Sequence, residues 1–148
     1  MSVFVTKEFT FDCAHMLSGH EGLCKNLHGH TYKLQITVSS FAGVIKEGPS
    51  EGMIVDFKDL KAIVKERIVD KFDHAYVMWA NGSEVEHSIG DLLSQEGMKV
   101  VIVKYRPTAE NMAQAFYDEL KGVLREHKAR IVGVKVWETP TSYAEVTM

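Results

Sequence analysis

Thr31 to Ser40 (TYKLQITVSS) alternates apolar Tyr32, Leu34, Ile36 and Val38 with polar Lys33, Gln35 and Thr37. That is the period of a half-buried β-strand. Ser2 to Phe11 alternates likewise and is rich in Val, Phe and Thr, so the two stretches are expected to pair as antiparallel strands around a polar, His-rich connection. Toward the C-terminus, Phe41 to Gly52 holds Gly43, Gly48, Pro49 and Gly52 and reads as a loop. Met53 to Val55 reads as a short return to extended structure, and Asp56 as a helix N-cap. From Phe57 onward Leu60, Ile63, Val64, Ile68 and Phe72 follow helical spacing.

Asn81-Gly82 signals a turn, and Ser83 to Gly97 reads as an irregular stretch with a short helix around Ile89 to Leu93. Lys99 to Tyr105 (KVVIVKY) is a strand. Thr108 caps a second helix whose core stripe is Met112, Ala115, Phe116, Leu120 and Val123. Arg130 to Glu138 and Ser142 to Thr147 form a closing hairpin. The order implies an α+β fold, a mostly antiparallel sheet with two main helices on one face. The other face is solvated or packs against further subunits.

The chain has 148 residues, 45% of them apolar, with 17 Lys+Arg against 20 Asp+Glu and a formal net charge of -3. One domain over residues 1–148 is expected. No basic run offers a footprint for nucleic acid, and no window approaches the ~18 apolar residues of a membrane span. Cys13 and Cys24 are too few for a disulfide framework, and the first ten residues lack the signal-peptide pattern, so a reducing cytoplasm is the expected setting.

His28-Gly29-His30 leads into the second strand, where residues two apart share a face and both imidazoles can converge on one ion. On the first strand Phe9, Phe11, Cys13 and His15 share a face, so pairing brings His15 to the same place. Three histidines leave a zinc site open for substrate, whereas Cys24 as a fourth ligand closes it. Both arrangements stand on spacing. Cys24 otherwise lies in a polar loop beside Lys25 as a possible proton carrier, and Cys13 reads as an inert buried thiol. Asp73-His74 is a candidate proton-transfer pair. Glu138 ends an apolar strand and needs a partner, either a Lys or Arg or the two parallel N–H groups of a pterin-like ring.

Phe11-Asp12-Cys13-Ala14-His15, Cys24-Lys25-Asn26-Leu27-His28-Gly29-His30, Phe72-Asp73-His74, Pro107-Thr108-Ala109-Glu110-Asn111 and Trp137-Glu138-Thr139 together resemble the 6-pyruvoyltetrahydropterin synthase superfamily. The short gap between Cys24 and His28 resembles its bacterial branch, the 6-carboxytetrahydropterin synthases of queuosine biosynthesis. The resemblance implies a tunnelling fold whose sheets join into a barrel, with two trimers stacked as a homohexamer and pterin pockets between subunits. It implies zinc on His15, His28 and His30, Cys24 as general base, and Asp73 and His74 supplied by a neighbouring subunit. It also implies Glu138 as anchor of the pterin ring, with Thr108, Ala109 and Glu110 lining the pocket. The implied reaction turns 7,8-dihydroneopterin triphosphate and water into 6-carboxy-5,6,7,8-tetrahydropterin, acetaldehyde and triphosphate. A 6-pyruvoyl product and a non-catalytic zinc-stabilised module are the alternatives. Lys25, Lys33 and Arg106 are triphosphate candidates on charge alone.

Overall fold

The structure, a computed structural model, describes residues 1–148. β1 (Val5–His15) and β2 (His28–Ser39) pair antiparallel, in a register running from Val5 opposite Val38 to His15 opposite His28. Both strands reach further into the connection than Phe11 and Thr31. Cys13 and His15 simply continue the buried row of Phe9 and Phe11. β2 also pairs with β5 (Arg130–Thr139), and β5 with β6 (Ser142–Thr147), the expected hairpin.

On the other side of β1 lie β3 (Ala75–Trp79) and β4 (Val100–Val103), both in parallel pairing. The sheet order is β4-β3-β1-β2-β5-β6, so the sheet is mixed and its free edges are β4 and β6. β3 was not foreseen from the sequence. Its residues Ala75-Tyr76-Val77-Met78 are buried on both faces, which removes the alternation that marks a half-solvated strand. Met53 to Val55 is not a strand. Ile54 and Val55 are buried there in irregular backbone, and the Ile45 N–H donates to the Met53 carbonyl at 2.8 Å.

α1 (Phe57–Val64) starts at Asp56, whose carboxylate accepts from the Lys58 N–H at 2.8 Å. The helix passes through a π-helical stretch, Lys65–Val69, into a final turn, α2 (Asp70–Phe72). Leu60, Val64, Ile68 and Phe72 recur every fourth residue, a spacing that overshoots an α-helix by about 40° per step. The wider π turn takes up the overshoot, and all four side chains stay buried.

α3 (Glu84–Gln95) extends the expected short helix to 12 residues, capped by the Ser83 hydroxyl. α4 (Ala109–Glu126) starts at Thr108, whose hydroxyl accepts from the Asn111 N–H at 3.2 Å. Met112, Phe116 and Leu120 face the core as expected, completed by Ala113 and Leu124, while Ala115 and Val123 are half-buried. α1 and α4 cover one face of the sheet, over Phe11, Tyr32, Leu34, Ile36, Val134 and Val136. α3 packs on the opposite face of β3. There Gly90 lies so close to Met78 that a Cβ would collide, while Val77 points into the main core.

Candidate metal centre

The β1–β2 register sets His15 opposite His28, and the two-residue period adds His30 on the same face. Glu138, on the neighbouring β5, brings its carboxylate to the same spot. The donor atoms of His15, His28, His30 and Glu138 all lie within 4.8 Å of one another. His15 is 1% exposed. Tyr32 lies beside the cluster, its ring centroid 5.6 Å from that of His30, and burial drives its phenol well above the ordinary range, so it stays protonated.

The hydrogen bonds of two imidazoles assign their tautomers. His15 Nδ1 donates to the Pro107 carbonyl at 2.8 Å, and His28 Nδ1 donates to the Asn26 carbonyl at 2.7 Å. In the neutral rings Nε2 is then the bare nitrogen, turned inward, and these two atoms are 3.0 Å apart. Two facing lone pairs with no proton between them repel unless a cation joins them. His30 Nε2 is likewise buried without a satisfied hydrogen bond, although Glu138 Oε1 is 2.8 Å away. Burial, aided by the neighbouring His28 and His30, lowers the His15 pKa to about 4 against the opposing Pro107 carbonyl. Burial lowers that of His30 as well. Neutral imidazoles beside one carboxylate are the donor set that suits a zinc-type divalent ion.

Cys24 lies half-buried in a 3-10 turn, Leu23–Lys25, and is not one of the converging donors. Cys24 is therefore not the fourth member of the cluster, and the side chain that joins the three imidazoles is Glu138. A Lys or Arg partner for Glu138 is also ruled out, since its contacts within 4.0 Å are His15 and His30. Cys13 is buried as expected. Burial first, then Asp12 and Asp73, push its pKa up to about 12, and it remains a thiol.

Asp73 and His74 stand apart from the cluster. Asp73 Oδ2 is 3.0 Å from His74 Nδ1, and its Oδ1 accepts from the Asp12 N–H at 3.0 Å. That backbone bond, with help from His74 and Lys99, holds the Asp73 carboxyl below its ordinary range. His74 has a φ of 62°, is largely exposed, and borders a shallow cleft lined by Asp12, Cys13, Ala14, Gly29, His30, Thr31 and Ala75. Asp12, Ala14, Gly29 and Thr31 alternate with His15, His28 and His30, and neither Asp73 nor His74 is among the converging donors.

Of the Thr108 to Glu110 segment, Thr108 caps α4, Ala109 is buried and Glu110 is exposed. Its link to the cluster runs through the preceding Pro107 carbonyl, which no side-chain pattern announces. Lys33 stacks 4.0 Å over Trp137 and pairs with Glu8 at 3.7 Å. Arg106 donates to the Leu17 and Ser18 carbonyls at 3.4 and 3.1 Å, and Lys25 is exposed.

Comparison with known proteins adds a family-model match, described as 6-pyruvoyl tetrahydropterin synthase, over residues 4–148. A 6-carboxy-5,6,7,8-tetrahydropterin synthase of Haemophilus influenzae is 43% identical over 95% of this chain and 96% of its own. Among solved structures, an uncharacterized protein from Wolinella succinogenes superposes with a TM-score of 0.81 at 19% identity, covering 99% of this chain and 98% of that one. The 6-pyruvoyl tetrahydropterin synthase of Caenorhabditis elegans has a TM-score of 0.69 at 22% identity, covering 100% and 96%. No helix is long and apolar enough to cross a membrane.

Proposed function

The chain belongs to the 6-pyruvoyl tetrahydropterin synthase family, and from that premise we propose that it is a zinc-dependent lyase of queuosine biosynthesis. It converts 7,8-dihydroneopterin triphosphate and water to 6-carboxy-5,6,7,8-tetrahydropterin, acetaldehyde and triphosphate in the cytoplasm, as one catalytic domain over residues 1–148. The observation that carries this reading is the convergence of His15, His28 and His30, with the Nε2 atoms of His15 and His28 3.0 Å apart. The 43% identity to a protein named for the 6-carboxy product favours that product over a 6-pyruvoyl one.

His15, His28 and His30 hold the ion, which when bound supplies Lewis-acid polarisation of the substrate's side-chain hydroxyls. The Pro107 and Asn26 carbonyls hold a ring proton on Nδ1 of His15 and His28 and so aim Nε2 inward. Glu138 anchors the pterin, its carboxylate accepting two parallel ring N–H groups. Its position beside His30 sets a ring held there within side-chain reach of the imidazoles. Cys24 moves protons at the substrate side chain, and Asp73 orients His74 for the return transfer. Thr108, Ala109 and Glu110 line the pocket.

The protein acts as a homohexamer, two stacked trimers whose sheets join through the free edges β4 and β6. A neighbouring copy then supplies Asp73 and His74, which are not among the converging donors of their own chain.

The test separates a catalytic ion from a structural one. Chelation at pH 7.5 is expected to abolish turnover while the far-ultraviolet spectrum stays native, because the core is built from buried apolar side chains and not from the ion. Unfolding on chelation would contradict the reading. The chelated protein is then expected to lose stability as the pH falls from 6.5 toward 4. In that window the unfolded chain protonates His15 while the folded chain does not. The loss is about 3 kcal/mol at most, and it is measured as a falling melting temperature.

A further inference from the structure

We propose that Glu86 is a positioning residue for Cys24, acting through Ser18; the inference rests on the reading of Cys24 as the proton carrier. Glu86 lies on α3, the helix least legible in the sequence, and is fully buried. Its Oε1 accepts from the Trp79 N–H at 2.7 Å and its Oε2 accepts from the Ser18 hydroxyl. No cation lies within 4.0 Å of it, and Gly82 packs so closely against the carboxylate that a Cβ there would collide with it. A buried carboxylate without a cation is costly, and this one serves Ser18 and β3 rather than a charge pair.

Ser18 is three residues beyond His15, and its hydroxyl also accepts from the Ser83 N–H at 3.1 Å. From the other side Arg106 donates to the carbonyls of Leu17 and Ser18, while Pro107, next to Arg106, receives His15. The clamped turn in turn holds Cys24, because the Leu17 N–H donates to the Cys24 carbonyl at 2.8 Å. No residue of the Leu23–Lys25 turn is fully buried, Cys24 being half-buried, so packing alone holds the turn weakly. The one hydrogen bond from the Leu17 N–H ties the Cys24 backbone to the clamped turn, and Glu86 fixes the neighbour of Leu17.

The test compares Glu86→Gln, Ser18→Ala and Ser18→Thr in the zinc-loaded full chain, by amide exchange, zinc content and steady-state kinetics. Expected in Glu86→Gln and Ser18→Ala is about tenfold faster exchange at the Leu17 amide and about tenfold lower kcat, from loss of one hydrogen bond. KM, zinc content and exchange in β2 and α4 are expected to stay unchanged, and Ser18→Thr, which keeps the hydroxyl, to restore both readouts. Leu17 exchange within about twofold of the unmodified protein in both variants, with only α3 loosened, would overturn the proposal. Should Glu86→Gln not fold, the Ser18 pair carries the comparison. Faster Leu17 exchange in a protein that never turns over the pterin upholds the coupling of Glu86 to the Cys24 turn and removes only the catalytic reading.

Discussion

Cys24→Ala is expected to lower turnover by about 10²- to 10⁴-fold, the range that a positioned acid–base group contributes. Zinc content and the folded spectrum are expected to stay as in the unmodified chain. The retention follows from geometry. Cys24 is absent from the converging donor set, and its turn buries none of its residues, so neither the ion nor the core depends on the thiol. Cys13 cannot substitute for it, being buried with a pKa pushed up to about 12. Zinc stoichiometry and single-turnover rates on one preparation measure both halves. Loss of zinc along with activity would place Cys24 among the ligands, and full activity would remove it from the mechanism.

Mixing two inactive variants, Cys24→Ala and His74→Ala, is expected to restore activity once their subunits exchange. In a site that takes Cys24 from one copy and His74 from another, random 1:1 assembly leaves about a quarter of the sites with both groups intact. The structural ground is the sheet itself. Asp73 and His74 are absent from the converging donors of their own chain, and the cleft that His74 borders is lined mostly by Asp12, Ala14, Gly29 and Thr31, which alternate with the cluster histidines, with only His30 reaching it. Activity is measured after co-dissociation and reassembly, with each variant alone as the control. No recovery in verified mixed oligomers would mean that each chain carries its own complete site.

Much of this was legible because alternation is a strong signal wherever one face of a strand meets solvent. Tyr32 through Val38 and Phe9 through His15 mark two strands, and the same period puts His15, His28 and His30 on one face, as the register has them. β3 escaped for the opposite reason, since a strand covered on both faces has no period to detect. The π stretch at Lys65–Val69 escaped because fourfold spacing over three turns looks like an ordinary helix. α3 is weakly amphipathic in sequence and earned only a short helix; its anchor is a single glutamate in a polar run, which reads as a solvated residue until Ser18 and Trp79 are seen around it.

In the site, the missing pieces were those set by tertiary register. Glu138 stood out as an acid on an apolar strand, but its contact with His30 depends on the pairing of β2 with β5. The carbonyls of Pro107 and Asn26, which fix two imidazole tautomers, carry no side-chain signature at all.

The most direct measurement incubates the zinc-loaded protein with 7,8-dihydroneopterin triphosphate and identifies the products by mass spectrometry, with a separate assay for acetaldehyde. The predicted result is 6-carboxy-5,6,7,8-tetrahydropterin with an equivalent of acetaldehyde and of triphosphate. A 6-pyruvoyl product without acetaldehyde, or no turnover with zinc bound, would contradict the account.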